Sequence, residues 1–313
     1  MTTHVSSVDV DVLSASIRLR PKRRVRPGDP VVSRGERLRR GVLFDNEIDI
    51  IDCYIDLIAA LAIAGGRGFQ RTFRRHIVAG QTNAKHLLSF SDGAISACVY
   101  ENVENLVVDG IVVNLSTQTI WHEGSVNAPI QPWRSSTVTK GKFLKADRIA
   151  VLKVEEPENI GGVMLRGWTW FGDVFRGLPR GIPLYVSSID TVGSVSEDPM
   201  AFTRERPVAE EMRRFDIKLK LWWSPGKTDA FIHNEHPFLE THTQIYGYGR
   251  MQKFRQRKAE AVYEDVVMAP GFTHEPFCLV TGADEYKYPW HRYYADTDAF
   301  WLAIELHPQT PGQ

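Results

Sequence analysis

From Lys85 to Pro308 the chain is written almost entirely in short apolar-alternating runs, and no other feature narrows the fold as much. LLSFS, AISACVY, NLVVDGIVVNL, TQTIWHEG, RIAVLKVEE, VMLRGWTWFG and IPLYVSSI are rich in β-branched and aromatic residues, with Asp-Gly and Glu-Asn turn signals among them. The texture resumes after Arg214 in FDIKLKLWWS, DAFIHNEH, ETHTQIYGYGRMQKFR, YEDVVMAP, EPFCLVTG and FWLAIELHP. Short, closely spaced strands that must each bury a face predict a sandwich or a closed barrel. One segment departs from this. Ile48, Ile51, Ile55, Ile58 and Leu61 recur at spacings of three and four and end on Gly65-Gly66, which predicts a helix over Asp45 to Ala64, with a buried strand pair as the other reading.

Composition removes several classes of function. In 313 residues, 38 basic and 38 acidic side chains cancel, so no global field favours nucleic acid. No apolar run reaches the roughly 18 residues of a membrane span, and the N-terminus has no signal-peptide core, so a cytoplasmic protein without a membrane partner is expected. Cys53, Cys98 and Cys278 are too few and too far apart for a disulfide framework or a CxxC site. The P-loop, GxGxxG after a strand, GxSxG and His-Glu-x-x-His are all absent.

The chain reads in four parts. Residues 1–40 form an arm in which Arg18 to Arg40 hold ten basic residues and two acids; a solvated or packed tail is the expected reading. Residues 41–195 form a β-rich domain with one helix. Residues 196–214 are a charged linker, and residues 215–313 form a second β domain.

The chemistry concentrates in the second domain. His233 to His274 contains four of the ten histidines, together with Glu240, Gly247 and Gly249. Imidazoles and a carboxylate drawn from neighbouring strands are what a divalent metal requires. Asn234, His236, Glu240 and His242 share a face of a regular strand and His233 lies on the other, unless a bulge intervenes. His242 and Gln244 alternate inward with Glu240, as proton-transfer or supporting groups. Tyr246 and Met251 read as barrel packing. The segment Tyr286 to Asp298 reads as a folded-over loop or dimer contact, or as a substrate-facing lid in which Arg292 pairs a carboxylate; Tyr248 is a second candidate for substrate contact.

The spacing of His236, three residues, Glu240, six residues and Gly247, followed by Pro270-Gly271 and His274, resembles the two motifs of the cupin superfamily. The resemblance covers about residues 215–306. The usual His-x-His is here His233-x-x-His236, so either histidine can be the first ligand. A further resemblance, of His233-Asn234 before Glu240 and of His274-Glu275-Pro276, is to Fe(II) sites of the homogentisate dioxygenase type. The resemblance implies a mostly β fold: a C-terminal jelly-roll barrel, with the N-terminal domain as a degenerate second barrel in one reading. It implies a metal held by His233, His236, Glu240 and His274, with Fe(II) favoured and zinc, manganese or nickel as alternatives. It further implies a small-molecule substrate and a homodimer. A non-haem iron oxygenase using His242 and Gln244 is the expected function. A non-redox isomerase, epimerase or lyase is the alternative, and a metal-free binding barrel is a third.

Overall fold

A computed structural model of the chain describes residues 81–309 apart from 125–127, 164–165, 205–210 and 283–284, and these residues lie within one compact unit, Ile77–Gln313. The expected basic arm and the helix at Asp45 to Ala64 fall outside the described residues. The fold is mostly β, in antiparallel sheets, as the alternating texture predicts. No helix among the described residues is long and apolar enough to cross a membrane.

The first sheet is built from β1 (Ala84–Leu87), β2 (Ile95–Asn114), β3 (Trp121–His122) and β4 (Ser135–Val154), in the order β1-β2-β4-β3. β2 and β4 are 20 residues each and coil back on themselves. Ile111, Val112 and Val113 each pair with two stretches of β4, near Ser135–Thr137 and near Ala150–Leu152. Gly110 sits at the bend with φ +136°, where a Cβ would press on the Leu152 carbonyl oxygen. Period-two alternation then gives the strand pair two apolar faces. Val112, Phe143 and Ile149 close a small internal core, while Ile95, Val99, Val113 and Leu152 face the rest of the molecule.

Short elements follow: β5 (Thr169–Trp170), α1 (Phe171–Val174), β6 (Tyr185–Val186), β7 (Asp190–Glu197) and α2 (Pro199–Phe202). Asp198 caps α2 by accepting from Met200 N at 2.9 Å, with Pro199 at the first helical position.

The remaining strands are β8 (Arg213–Ser224), β9 (Thr228–Asp229), β10 (Leu239–Tyr246), β11 (Gly249–Phe254), β12 (Val262–Met268), β13 (Leu279–Gly282), β14 (Glu285–Lys287), β15 (Trp290–Ala295) and β16 (Ala299–Pro308). One sheet runs β10-β16-β8 and continues into β6 and β5, with β7 also on β8; the other runs β12-β11-β15-β9. An antiparallel bridge from Thr243 to Thr273 adds a further chain segment beside β10. Eight segments in this order, with the first long strand beside the last, make a two-sheet jelly roll. Gly247, at φ +68° between β10 and β11, is packed so tightly on the Asp298 carbonyl oxygen that a Cβ would collide with it.

The β10-β16-β8 sheet is buried on both faces. Phe215, Ile217, Leu219 and Leu221 alternate along β8, and Phe300, Leu302, Ile304 and Leu306 along β16; both rows pack on the first sheet in one continuous core. The opposite rows, including Lys220, Trp222, Trp301 and Glu305, face the barrel interior. Phe300, fully buried and edge-on to Trp168 at 5.2 Å, lies at the centre of the shared core. Phe300→Ala is expected to cost about 3–5 kcal/mol by urea denaturation, the range for a buried aromatic truncated to a cavity.

Candidate metal centre

Three chain segments bring the polar groups together. β9 ends at Asp229, whose Oδ1 accepts from Phe231 N at 3.0 Å, and Phe231 turns the chain with φ +68°. His233 then pairs with His291 of β15, through backbone bonds of 3.0 and 2.9 Å. An irregular stretch carries His236 inward before β10 begins and delivers Glu240 and His242 on its inner face. The strand-parity expectation, which set His233 on the opposite face from His236, is corrected here. Residues 234–238, between the His233 bridge and the start of β10, are not a regular strand, so alternation does not run through them.

His233, His236 and His291 each offer a ring nitrogen, and the three lie within 4.8 Å of one another. His236 Nε2 is 3.1 Å from His291 Nε2 and 3.3 Å from Glu240 Oε1. Two donors bonded to one metal at about 2.1 Å sit roughly 3.0–3.4 Å apart, so these spacings suit a shared ion. Outer partners set the tautomers. His291 Nδ1 donates to the Pro289 carbonyl at 2.9 Å and His233 Nδ1 to that of Phe231 at 3.3 Å, which leaves each Nε2 with a lone pair. Glu240 Oε1 is buried without a hydrogen-bond partner among the described residues. An anionic oxygen and imidazole lone pairs crowded together are stabilised by a cation. The residues present therefore fit a divalent metal held by His233, His236, His291 and Glu240.

The electrostatics agree with neutral imidazoles at His233 and His236. Burial, aided by His291 and His236, pushes His233 down to about 3, and burial also lowers His236. Burial raises the Glu240 carboxyl, but His236 and its other imidazole neighbours outweigh it and hold the group well below the ordinary carboxylate value. Tyr293 and Tyr288 are pushed well above the ordinary phenol value, burial first, and stay protonated.

A cavity of about 560 Å³ opens onto this group. Phe171, Phe175, Phe231 and Trp222 wall it beside His233, His236, Glu240 and His242, and Lys220 and Glu305 also line it. His242 is buried, has no hydrogen-bond partner on either ring nitrogen among the described residues, and is held to about 3, again chiefly by burial. Its Nε2 is 3.8 Å from Glu240 Oε2.

The other expected site residues lie elsewhere. His274 is fully buried, but its Nε2 accepts from His242 N at 2.9 Å and from the Tyr293 hydroxyl at 2.8 Å, while Nδ1 donates to the Glu275 carbonyl at 2.8 Å. Both nitrogens are engaged, and His291 takes the position in the group that the Pro-Gly-x-x-His spacing assigned to His274. Gln244 is buried, donates to the Tyr246 carbonyl at 2.7 Å and does not line the cavity. Arg292 pairs with Asp229 and donates to Gln252 Oε1 at 2.7 Å, outside the cavity lining. Tyr248 is exposed on the β10–β11 turn. The segment expected as a loop from Tyr286 is instead β14 and β15. Its alternation of His291, Tyr293 and Ala295 was the available signal. Nothing in the sequence pointed to Phe171 and Phe175.

No protein-family model matches the sequence, and comparison with curated proteins gives no match. Solved structures that match include cupin-domain proteins. A cupin 2 conserved barrel domain protein from Leptotrichia buccalis is 10% identical over 71% of this chain and 88% of its own, with a TM-score of 0.23. A cupin domain from Bordetella pertussis is 12% identical over 37% of this chain and 96% of its own, at 0.21. HppE in its Co(II) and Fe(II) forms is 9% and 11% identical at 0.20; the chain spans 45% and 64% of their lengths, over 28% and 38% of its own. Similarities of this size assign neither reaction nor ligand, and the strand order carries the fold.

Two outcomes follow from the geometry. Equilibrium dialysis against Co(II) will show His291→Ala losing most of the bound metal, whereas His274→Ala retains it if it folds. In the metal-free protein, His233 and His242 titrate near 3 when folded and near 6.5 when unfolded. The unfolded chain takes the proton first as pH falls. Stability present above pH 6.5 is therefore lost progressively towards pH 3, by up to about 1.4 kcal/mol per pH unit per histidine, measurable by denaturant melts at pH 7 and pH 5.

Proposed function

We propose that the protein is a metal-dependent cupin enzyme acting on a small organic molecule, and that it is a non-haem Fe(II) oxygenase. The observation that carries this reading is the convergence of three imidazoles with Glu240, whose Oε1 has no hydrogen-bond partner among the described residues, at the wall of a large apolar cavity. When bound, the metal would supply Lewis acidity and, as iron, one-electron and oxygen chemistry. The chain supplies the rest. Aromatic walls exclude water and hold a substrate against the metal group. Tyr288 Oη accepts from Glu240 N at 2.9 Å and donates to the Phe238 carbonyl at 3.0 Å, which fixes the start of β10. The His274–Tyr293 bond does the same behind His242.

His242 itself favours a second reading. A neutral imidazole beside the cavity, with neither nitrogen committed, is equipped to move a proton, as a non-redox isomerase or lyase requires.

Elemental analysis of protein purified without chelator, with oxygen-electrode assays, separates the readings. Near-stoichiometric iron that is lost in Glu240→Ala and His291→Ala, with substrate-dependent oxygen uptake, supports the oxygenase. Zinc, manganese or nickel without oxygen uptake supports the second reading, and no metal after anaerobic reconstitution overturns both. In either enzyme, His242→Asn is expected to lower kcat by roughly 10²–10⁴ with KM little changed, by steady-state kinetics.

A further inference from the structure

We infer that the cavity takes an uncharged, flat and largely apolar molecule, and that an oxygen of this molecule is held by the Lys220–Glu305 pair. This rests on the reading of the cavity as a substrate site.

The walls set the shape. Phe171 stacks on Phe175 at 5.7 Å and Phe175 on Phe231 at 5.6 Å, each with 18° between the planes, and Phe231 stacks on His233 at 4.6 Å. Near-parallel rings therefore run as one apolar file from α1 to the metal group. Trp222 meets Phe171 edge-on at 4.3 Å. A surface of this kind is matched by a planar apolar body, which gains burial and ring contact together.

The polar groups set the charge. Lys220 and Glu305 line the same cavity from the inner faces of β8 and β16. Lys220 Nζ is 2.7 Å from Glu305 Oε1, with side-chain exposures of 13% and 4%, and sits 5.0 Å over the Trp222 ring. Glu305 Oε2 is 2.8 Å from His307 Nε2. The pair neutralises itself inside the barrel wall, and the site reading above gives it no role. An ammonium has three donors and one goes to Glu305, so Nζ keeps N–H groups for a ligand oxygen. A ligand carboxylate placed here would meet Glu305, with Glu240 on the same cavity wall; a ligand ammonium would meet Lys220. Each would add a buried charge to a pair that is already neutral. A hydroxyl or carbonyl oxygen accepts from Lys220 at no such penalty, and a hydroxyl can also donate to Glu305. Arg257 also lines the cavity, but it is exposed over the Trp290 ring at 5.7 Å and donates to the Ile232 carbonyl at 3.2 Å, away from this buried pair.

Metal-free full-length protein would be titrated with 9-anthracenemethanol and with 9-anthracenecarboxylate, following tryptophan quenching. The two share one ring system and differ in a hydroxyl against a carboxylate. The alcohol is expected to bind in the micromolar range and the carboxylate at least about ten-fold more weakly, the ratio for one charge-assisted hydrogen bond gained or lost. Lys220→Met with Glu305→Gln, which removes both charges together, is expected to weaken the alcohol about ten-fold and to erase the preference. Phe175→Ala, at a half-exposed position that leaves the core intact, is expected to weaken both probes. Equal or tighter binding of the carboxylate, no saturable binding of either probe, or affinities that neither variant moves would overturn the inference. Because the titration uses no metal, its failure leaves the metal reading standing. Failure of the metal reading, seen as no metal in the intact protein, leaves this binding result standing.

Discussion

The β10-β16-β8 sheet is the constraint on which the rest of the structure depends. It is buried on both faces, so the two rows of side chains along each strand must satisfy different surroundings. On β16, Phe300, Leu302, Ile304 and Leu306 meet the first sheet, while Trp301 and Glu305 face the barrel interior. A strand of this kind cannot slip by one residue without driving Glu305 into the apolar core and Leu306 into the cavity. The apolar row thereby fixes the register that aims Lys220, Glu240, His242 and Glu305. The long coiled pair β2 and β4 supplies the cover on the outer face, and its double pairing at Ile111–Val113 keeps that cover compact.

Inside the barrel, polarity is concentrated where it can be compensated. Thr241 donates to the His274 carbonyl at 2.8 Å and Thr243 bonds Thr273 at 2.6 Å, so the non-metal side of β10 is satisfied within the protein. His274 closes this set by taking the His242 N–H and the Tyr293 hydroxyl. On the other face of β10, Glu240 Oε1 and both nitrogens of His242 have no hydrogen-bond partner among the described residues and belong to side chains that line the cavity, while Gln244 Oε1, also without one, lies beyond that lining. Buried polar atoms are rarely left unpaired at random. The two β10 residues that line the cavity, Glu240 and His242, thus differ from Thr241 and Thr243, whose hydroxyls are paired within the protein.

Much of this was legible because strand chemistry has a simple period. The alternation in FDIKLKLWWS and FWLAIELHP predicted strands with two distinct faces, and the Gly-x-Gly turn after TQIY lies where Gly247 turns the chain. His233, His236 and Glu240 were visible as a spacing. His291 was not, since WHRYYA is dense in aromatics and suits a loop folded over the barrel as well as a strand. His274 illustrates a different limit of spacing. Spacing locates a histidine near a site, but which atoms remain free is decided by three-dimensional partners, here a backbone N–H, a tyrosine and a carbonyl. Parity failed between His233 and Glu240 for a comparable reason, because residues 234–238 are irregular backbone and period-two reasoning has no means of seeing it.

The metal group is thus carried by unlike supports. Glu240 and His291 stand on paired strands, whereas His233 and His236 lie on an irregular segment held by the Asp229 turn and two backbone bonds to His291. Rigid strands fix the carboxylate and one imidazole; the irregular segment also carries Phe231, which joins the ring file, and Pro237 and Phe238 at the cavity. Any shift of this segment would move two of the imidazoles and the apolar wall together. A flat molecule packed on Phe231 would restrain the segment that holds His233, so cavity occupancy and the geometry of the metal group are mechanically linked through residues 230–238.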